Sequence, residues 1–284
     1  MTALSALIEL LDLEELELNL FRGRSPQERS QRVFGGQVVG QALVAATRTV
    51  EDRVAHSLKG DFLRPGDPKT PIIYEVDRIR DGKTFATRRV VAIQHGKAIF
   101  AMSVSFQRVE TGLEHQLPMP ATPTPEQLPD PEILRQETLE RAPEEHKHWY
   151  RGEQPFEHVV IDPVDEFDPE VRPPEMGIWL RAAGPLPDDL ALHQCMLAYA
   201  SDMSLLDTCV LPHGISWMDS KFQGASLDHA IWFHRDFRAD QWLLFVQDSP
   251  AASGGRGFNR GLVYTRDGEL IASVVQEGLI RLHR

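Results

Sequence analysis

The hydrophobic positions of the chain predict two buried helices, one in each half. From Cys195 to Ala200 every residue is apolar, within a helix-like stretch over 190–202. A helix that is apolar on all sides is one that the rest of a domain surrounds. It is too short to span a bilayer, which takes roughly 20 apolar residues. In the first half, the segment 33–46 runs through Gly35 and Gly36 into a second apolar helix.

Each of these helices is followed by runs that are typical of antiparallel strands. The runs lie at 56–63, 72–80, 85–94 and 98–107 in the first half, and at 225–235, 242–247, 257–264 and 270–281 in the second. A short strand is also predicted at 179–182, and Asp-Gly pairs at 81–82 and 267–268 predict hairpins. Because the same order occurs twice, we infer an internal duplication of one helix and one curved antiparallel sheet.

The remaining segments set the predicted boundaries. Leucines recur near helical spacing over 2–20, which predicts an amphipathic helix. Between 110 and 175 prolines and acidic residues crowd together, which is typical of a linker, with a short helix at 131–141. The sequence therefore predicts an α+β fold with a first repeat over 1–110, a linker over 111–175 and a second repeat over 176–284.

Charge and cysteine content narrow the class of protein. The 284 residues carry a formal net charge of -12, which disfavours nucleic acid as a partner. Two cysteines do not make a disulfide scaffold in a chain of this length. The N-terminus lacks the basic segment of a signal peptide, and the C-terminus is not a peroxisomal Ser-Lys-Leu address. We expect a cytoplasmic protein without a membrane-inserted segment.

Six short motifs, in order along nearly the whole chain, resemble those of the acyl-CoA thioesterase II family. They are FGGQVVGQAL at 34–43, FLRPG at 62–66, YASD at 199–202, DHAIWFHR at 228–235, RGFNRG at 256–261 and VQEG at 275–278. The resemblance implies a double hotdog fold. It also implies hydrolysis of fatty acyl-CoA to free acid and CoA, with no metal, no cofactor and no covalent intermediate.

The resemblance also implies three catalytic residues, which position and activate a water. The family's Asp corresponds to Asp202, its Thr or Ser to Ser226, and its Gln to Gln276. On its own chemistry, Asp202 is a weak base at neutral pH unless burial raises its pKa above the reference value of about 3.9. A strand over 225–235 would place Ser226 and His229 on opposite faces. Ser226 lacks a G-x-S-x-G context, so a serine nucleophile is disfavoured.

Five further residues are candidates for substrate binding. Gly35 and Gly36 precede a helix, whose N-terminal N–H groups can polarise a carbonyl or bind an anion. Arg64, Arg256 and Arg260 can bind the CoA phosphates. A plain loop entry and solvated arginines are the simpler interpretations of these two groups.

Three alternatives accompany this interpretation. A metal at His229 and His234 is rejected, because strand alternation points the two rings to opposite faces. A hotdog hydratase uses an Asp and a His five residues apart, as Asp188 and His193 are. The third alternative is a protein that binds acyl-CoA without catalysing a reaction.

The arrangement of the two repeats predicts the number of active sites and the oligomeric state. All three catalytic candidates lie in the second repeat, so we expect one working site per chain. Exposed sheet edges favour a homodimer or a higher homo-oligomer.

Overall fold

The computed structural model describes residues 1–26, 32–144, 146–147 and 150–283. Its helices are α1 (Ala3–Leu11), α2 (Gly35–Thr47), α3 (Pro131–Arg141) and α4 (Leu190–Ala200). Its strands are β1 (Glu14–Glu17), β2 (Leu20–Gly23), β3 (Val54–Phe62), β4 (Ile72–Asp81), β5 (Phe85–Gln94), β6 (Lys97–Gln107), β7 (Phe156–Val160), β8 (Glu175–Ala182), β9 (Phe222–Ser226), β10 (Asp228–Phe233), β11 (Leu243–Ser253), β12 (Arg256–Thr265) and β13 (Leu270–Leu282).

These strands form one antiparallel sheet. Counted outward from the centre, the strands of the two halves follow one another in an equivalent order. The first half contributes β1-β2-β4-β5-β6-β3 and the second β10-β13-β12-β11-β8-β7, with β9 also paired to β13. Strands β3 and β10 join the halves at the centre of the sheet. Each half thus repeats the unit inferred from the sequence, and α2 packs against β3, β4, β5 and β6 of its own half, whereas α4 contacts α2 and β3.

The two central helices pack directly against each other. Glycines on α2 allow this approach. A Cβ on Gly36 would lie 2.3 Å from the Tyr199 carbonyl oxygen, and one on Gly40 would lie 3.3 Å from the carbonyl oxygen of Cys195. Both helices are buried along most of their length. The core therefore runs continuously through the two halves.

The predicted N-terminal helix over 2–20 is wrong beyond Leu11. Leu4, Leu7 and Leu11 are buried at helical spacing, but the next turn has no core to face. Its glutamates instead form β1, which is exposed at every position. A turn with Asn19 at φ 62° then returns the chain as β2, which pairs with β4.

The linker contains the predicted short helix and also a strand that the sequence did not predict. Strand β7 pairs with β8 and ends the sheet. Upstream of α3, the chain covers the outer face of the second-half sheet, where the Trp179 indole donates to the Pro123 carbonyl oxygen at 2.8 Å. Met119 and Leu128 pack there against Tyr264 and its neighbours. This segment is thus part of the second half's packing.

Within the described ranges, no helix has the length and hydrophobicity to cross a membrane. The sheet ends at β1 and β7. The oligomeric state therefore stays a prediction from these edges.

We predict that Gly36→Ala destabilises the protein by about 1–3 kcal/mol, because the added methyl must displace the backbone of α4. Gly112→Ala is the matched control, since a Cβ there meets nothing within 4 Å. Urea denaturation followed by circular dichroism measures both changes. Equal midpoints for Gly36→Ala and the wild type would contradict the close approach of the two helices.

Candidate active site

The site is built around Asp202, which follows the C-terminal end of α4. Asp189 caps the start of this helix and Ser201 ends it. The Asp202 side chain is only 3% exposed. It lies against the start of α2, because a Cβ on Gly35 would be 2.5 Å from Asp202 Oδ2. The first half thus forms one wall of a site whose carboxylate belongs to the second.

The structure brings the three predicted catalytic residues together. Ser226 Oγ donates to Asp202 Oδ1 at 2.9 Å. Gln276 Nε2 donates to the same oxygen at 2.5 Å. Ser226 ends β9, and Gln276 lies two residues before its β13 partner Gly278. Cross-strand pairing therefore delivers both donors to one carboxylate oxygen.

The predicted single strand over 225–235 is divided at Leu227. β9 pairs with β13 through Ser226 and Gly278, whereas β10 pairs with β13 in a register shifted by one residue. Because side chains alternate along a strand, this shift changes the face that follows. The prediction that Ser226 and His229 lie apart on opposite faces is therefore wrong: both lie beside the Asp202 and Gln276 pair.

Burial controls the electrostatics of Asp202. It raises the pKa of the carboxyl to about 6, and hydrogen bonds from Gln276, Ser226 and the Gly36 backbone limit the rise. The charge of Arg32 acts in the same direction as these bonds. Asp202 is therefore ionised at neutral pH, yet basic enough to accept a proton near that pH. The Gly36 N–H is directed to this carboxylate.

His229 is a site residue that the sequence pattern did not predict, because a continuous strand places its ring on the face opposite Ser226. Its ring is fully buried. Nδ1 lies 3.2 Å from Gln276 Nε2, and Nε2 lies 2.8 Å from Ser201 Oγ. Burial lowers the pKa of His229 to about 3, so the ring is neutral. The signal in the sequence is the motif DHAIWFHR at 228–235, which contains His229.

A cavity of about 710 Å³ opens in front of Asp202. Asp202, Ser226 and Gly35 line it, whereas Gln276 is fully buried behind Asp202. Much of the wall is aromatic or aliphatic, contributed by Phe34, Val38, Phe62, Leu63, Ile99, Phe100, Tyr199 and Leu206. Such a cavity fits a long apolar group whose reactive end reaches the carboxylate.

One arm of the cavity carries a second acidic group. Burial raises the pKa of Asp207 to about 7, and its carboxylate accepts from the Trp217 indole at 2.6 Å. The Tyr150 hydroxyl donates to Glu166 Oε1 at 3.0 Å, and burial raises the pKa of Glu166 as well. No pattern in the sequence predicted that these residues lie near Asp202.

The three candidate arginines occupy different places. Arg64 lines the cavity, and its Nη1 donates to the Ala98 carbonyl oxygen at 2.6 Å. Arg256 pairs with Glu277 at 3.0 Å, and Arg260 pairs with Asp248 at 2.6 Å. Neither Arg256 nor Arg260 belongs to the cavity wall.

The residues of the hydratase alternative do not meet in this cavity. The Asp188 side chain is fully exposed and pairs with Arg238. His193 is buried, and its Nδ1 accepts from the Ala239 backbone N–H at 3.1 Å. Across the described residues, no group of three or more His, Cys, Asp or Glu side chains is placed to hold a metal ion.

Comparison with known proteins identifies the family. The sequence profile of the acyl-CoA thioesterase family matches residues 145–279, and that of the acyl-CoA thioesterase N-terminal domain matches residues 24–107. Acyl-coenzyme A thioesterase 8 of Mus musculus is 45% identical over 96% of this chain and 88% of its own length. Acyl-CoA thioesterase 2 of Haemophilus influenzae is 40% identical over 98% of both chains.

Solved structures agree with this relationship. An acyl-CoA thioesterase II from Mycobacterium marinum is 42% identical, with a TM-score of 0.79 over 97% of this chain and 98% of its own. A hotdog-fold protein from Alicyclobacillus acidocaldarius gives a TM-score of 0.77 at 21% identity, which concerns the fold alone. The double hotdog prediction is confirmed. The chain belongs to the acyl-CoA thioesterase family, whose members are thioester hydrolases.

Proposed function

We propose that the protein hydrolyses fatty acyl-CoA to free fatty acid and CoA with a water held against Asp202 and Ser226. The observation that carries this proposal is the buried Asp202 carboxylate at the wall of an apolar cavity. Two neutral donors fix its Oδ1, so its orientation is set before substrate enters. Preorganised groups of this kind need no rearrangement during the reaction.

The water attacks the thioester carbonyl carbon while Asp202 accepts one of its protons. The carbonyl π electrons move to oxygen and form a tetrahedral oxyanion. When the carbonyl reforms, the carbon–sulfur bond breaks and CoA leaves as the thiolate, which accepts the proton held by Asp202 and so restores the carboxylate. Ser226 Oγ donates to Asp202 and keeps lone pairs free to accept a hydrogen bond from the water. Gln276 supports the carboxylate from behind.

The walls of the cavity support a proposed position for each part of the substrate. The acyl chain lies along the aromatic and aliphatic residues between the central helices and the sheet. Arg32 and Arg64 line the same cavity and offer positive charge to the CoA portion. From the sequence, we expected the Gly36 N–H to bind the substrate carbonyl. In this scheme it donates a hydrogen bond to Asp202 instead. Arg256 and Arg260 have no role in this scheme.

We predict that Asp202→Asn lowers kcat on palmitoyl-CoA by about 100-fold or more, because the amide cannot accept the proton of the water. Release of free CoA thiol measures turnover. Asp240→Asn is a control, since this carboxyl is also well buried but pairs with Arg238 outside the cavity. Comparable turnover in Asp202→Asn and the wild type would remove Asp202 from the centre of the mechanism.

We also predict that kcat/KM rises with pH through a midpoint near 6. Asp202 must be ionised to accept a proton, and its pKa is raised to about 6, so activity falls as pH drops below this value. Asp207 titrates in the same cavity near pH 7, and Asp207→Asn separates the two groups. If kcat/KM of this variant still falls below pH 6, the fall belongs to Asp202. If the fall disappears, it belongs to Asp207.

A further inference from the structure

A basic groove opens beside the active-site cavity. The basic groove has a volume of about 430 Å³ and is lined by Arg22, Arg24, Ser25, Pro68, Lys69, Thr70 and Pro71. Ser25 and Pro68 also line the active-site cavity, so the two spaces adjoin. A ligand that fills the cavity can therefore extend into the groove.

The charge of the groove is opposite to that of the chain. Three of its seven lining residues are cations and none is a carboxylate, although the protein carries a net charge of -12. Arg22 is bound to Glu14 at 2.5 Å, which offsets its charge. Among the described residues, Arg24 and Lys69 have no carboxylate within ion-pair distance. A local cluster of this sign attracts an anion against the field of the whole molecule.

Buried amides fix both walls of the groove. On one side, Gln94 donates to the carbonyl oxygens of Asp67 and Thr70 at 2.8 and 2.6 Å, which holds the turn that carries Lys69. On the other, Gln37 and Gln41 of α2 each donate to the Arg24 carbonyl oxygen at 3.1 Å. The backbone on either side of the groove is therefore set before a ligand arrives.

We propose that the basic groove binds the phosphate groups of CoA, with Arg24 and Lys69 as their main partners. The assignment rests on the proposed function, because the phosphates lie at the far end of the pantetheine arm from the thioester. With the thioester at Asp202, an adjoining basic groove is where a polyanionic end group is stabilised. Guanidinium and ammonium groups are the side chains that bind phosphates most strongly.

The test compares substrates with and without phosphates. In Arg24→Gln/Lys69→Gln we expect the KM for lauroyl-CoA to rise about tenfold, with kcat within a factor of about two. The KM for lauroyl-pantetheine, which has no phosphate, should not change. Arg256→Gln/Arg260→Gln removes the same charge outside both cavities and should leave both substrates unaffected.

Other results overturn the proposal. An unchanged KM for lauroyl-CoA, or an equal rise for both substrates, places the phosphates elsewhere. If the wild type hydrolysed neither substrate, the proposed function would fail, and calorimetric titration with CoA alone would still decide the groove. Weaker CoA binding in the Arg24 and Lys69 variant then supports it, and equal binding rejects it. Lys69→Gln alone, at an exposed position, replaces the double variant if that does not fold.

A different observation carries a second inference, about His229. Gln276 Nε2 has two hydrogens, one directed to Asp202 Oδ1 and the other to His229 Nδ1. The neutral ring offers Nδ1 as an acceptor and donates from Nε2 to Ser201 Oγ, which donates to the Ala198 carbonyl oxygen at 3.3 Å. Rotation of the amide by 180° would place its oxygen against two acceptors.

We infer that His229 is a positioning residue, which keeps the amide hydrogens of Gln276 on Asp202. His229→Leu removes the acceptor, whereas His229→Asn keeps an acceptor oxygen near the place of Nδ1. Arg32, Ser226 and the Gly36 backbone also lower the pKa of Asp202, and the charge of Asp202 raises the pKa of Asp207; all these groups are intact in both variants. The effect of the ring on Gln276 is therefore tested separately from these groups.

In His229→Leu we expect kcat to fall about tenfold and the pH midpoint of kcat/KM to rise, because the Gln276 hydrogen bond holds the pKa of Asp202 down. His229→Asn should restore most of both. A purely structural role would lower stability without moving the midpoint. An unmoved midpoint in His229→Leu, or Asn behaving like Leu, overturns the inference. If His229→Leu does not fold, His229→Gln, whose amide lies one methylene further out, replaces it.

Discussion

The burial of one carboxylate determines how the two halves of this protein meet. A pKa raised from 3.8 to about 6 means that holding Asp202 ionised at neutral pH costs about 3 kcal/mol. This figure already includes the donors from β9, β13 and the start of α2, without which the cost would be larger. Since α2 belongs to the first half, the site is complete only when both halves pack together. The absence of a side chain at Gly35 gives the carboxylate room.

The family resemblance predicted which residues meet at Asp202, because residue types at motif positions can be compared directly. Ser226 and Gln276 lie 24 and 74 residues after Asp202, yet the family resemblance singled out all three, and the structure brings them into contact. The two repeats were also predictable, since apolar helices and alternating strands follow from hydrophobic spacing. The N-terminal helix was overextended into a stretch rich in glutamate, which forms an exposed strand instead.

What the sequence could not supply was register. Alternation assumes a continuous strand, so it could not show that the chain shifts at Leu227 and brings His229 beside Gln276. In the same way, Arg256 and Arg260 resembled phosphate ligands until cross-strand pairing showed Glu277 and Asp248 as their partners. The basic groove is the opposite case: the sequence did not suggest it, and the structure shows it. Its cations come from segments more than 40 residues apart and share no motif.

The continuous sheet through β3 and β10 affects how the two repeats can evolve. In a homodimer of single repeats, every substitution appears twice, so a residue that improves one site is imposed on the other. Here the two repeats are encoded separately but fold as one hydrogen-bonded unit. One copy can specialise in chemistry while the other is selected for the wall, the backbone donor and the basic groove that it contributes. The meeting of Gly35 with Asp202 is where these two selective pressures act on a single contact.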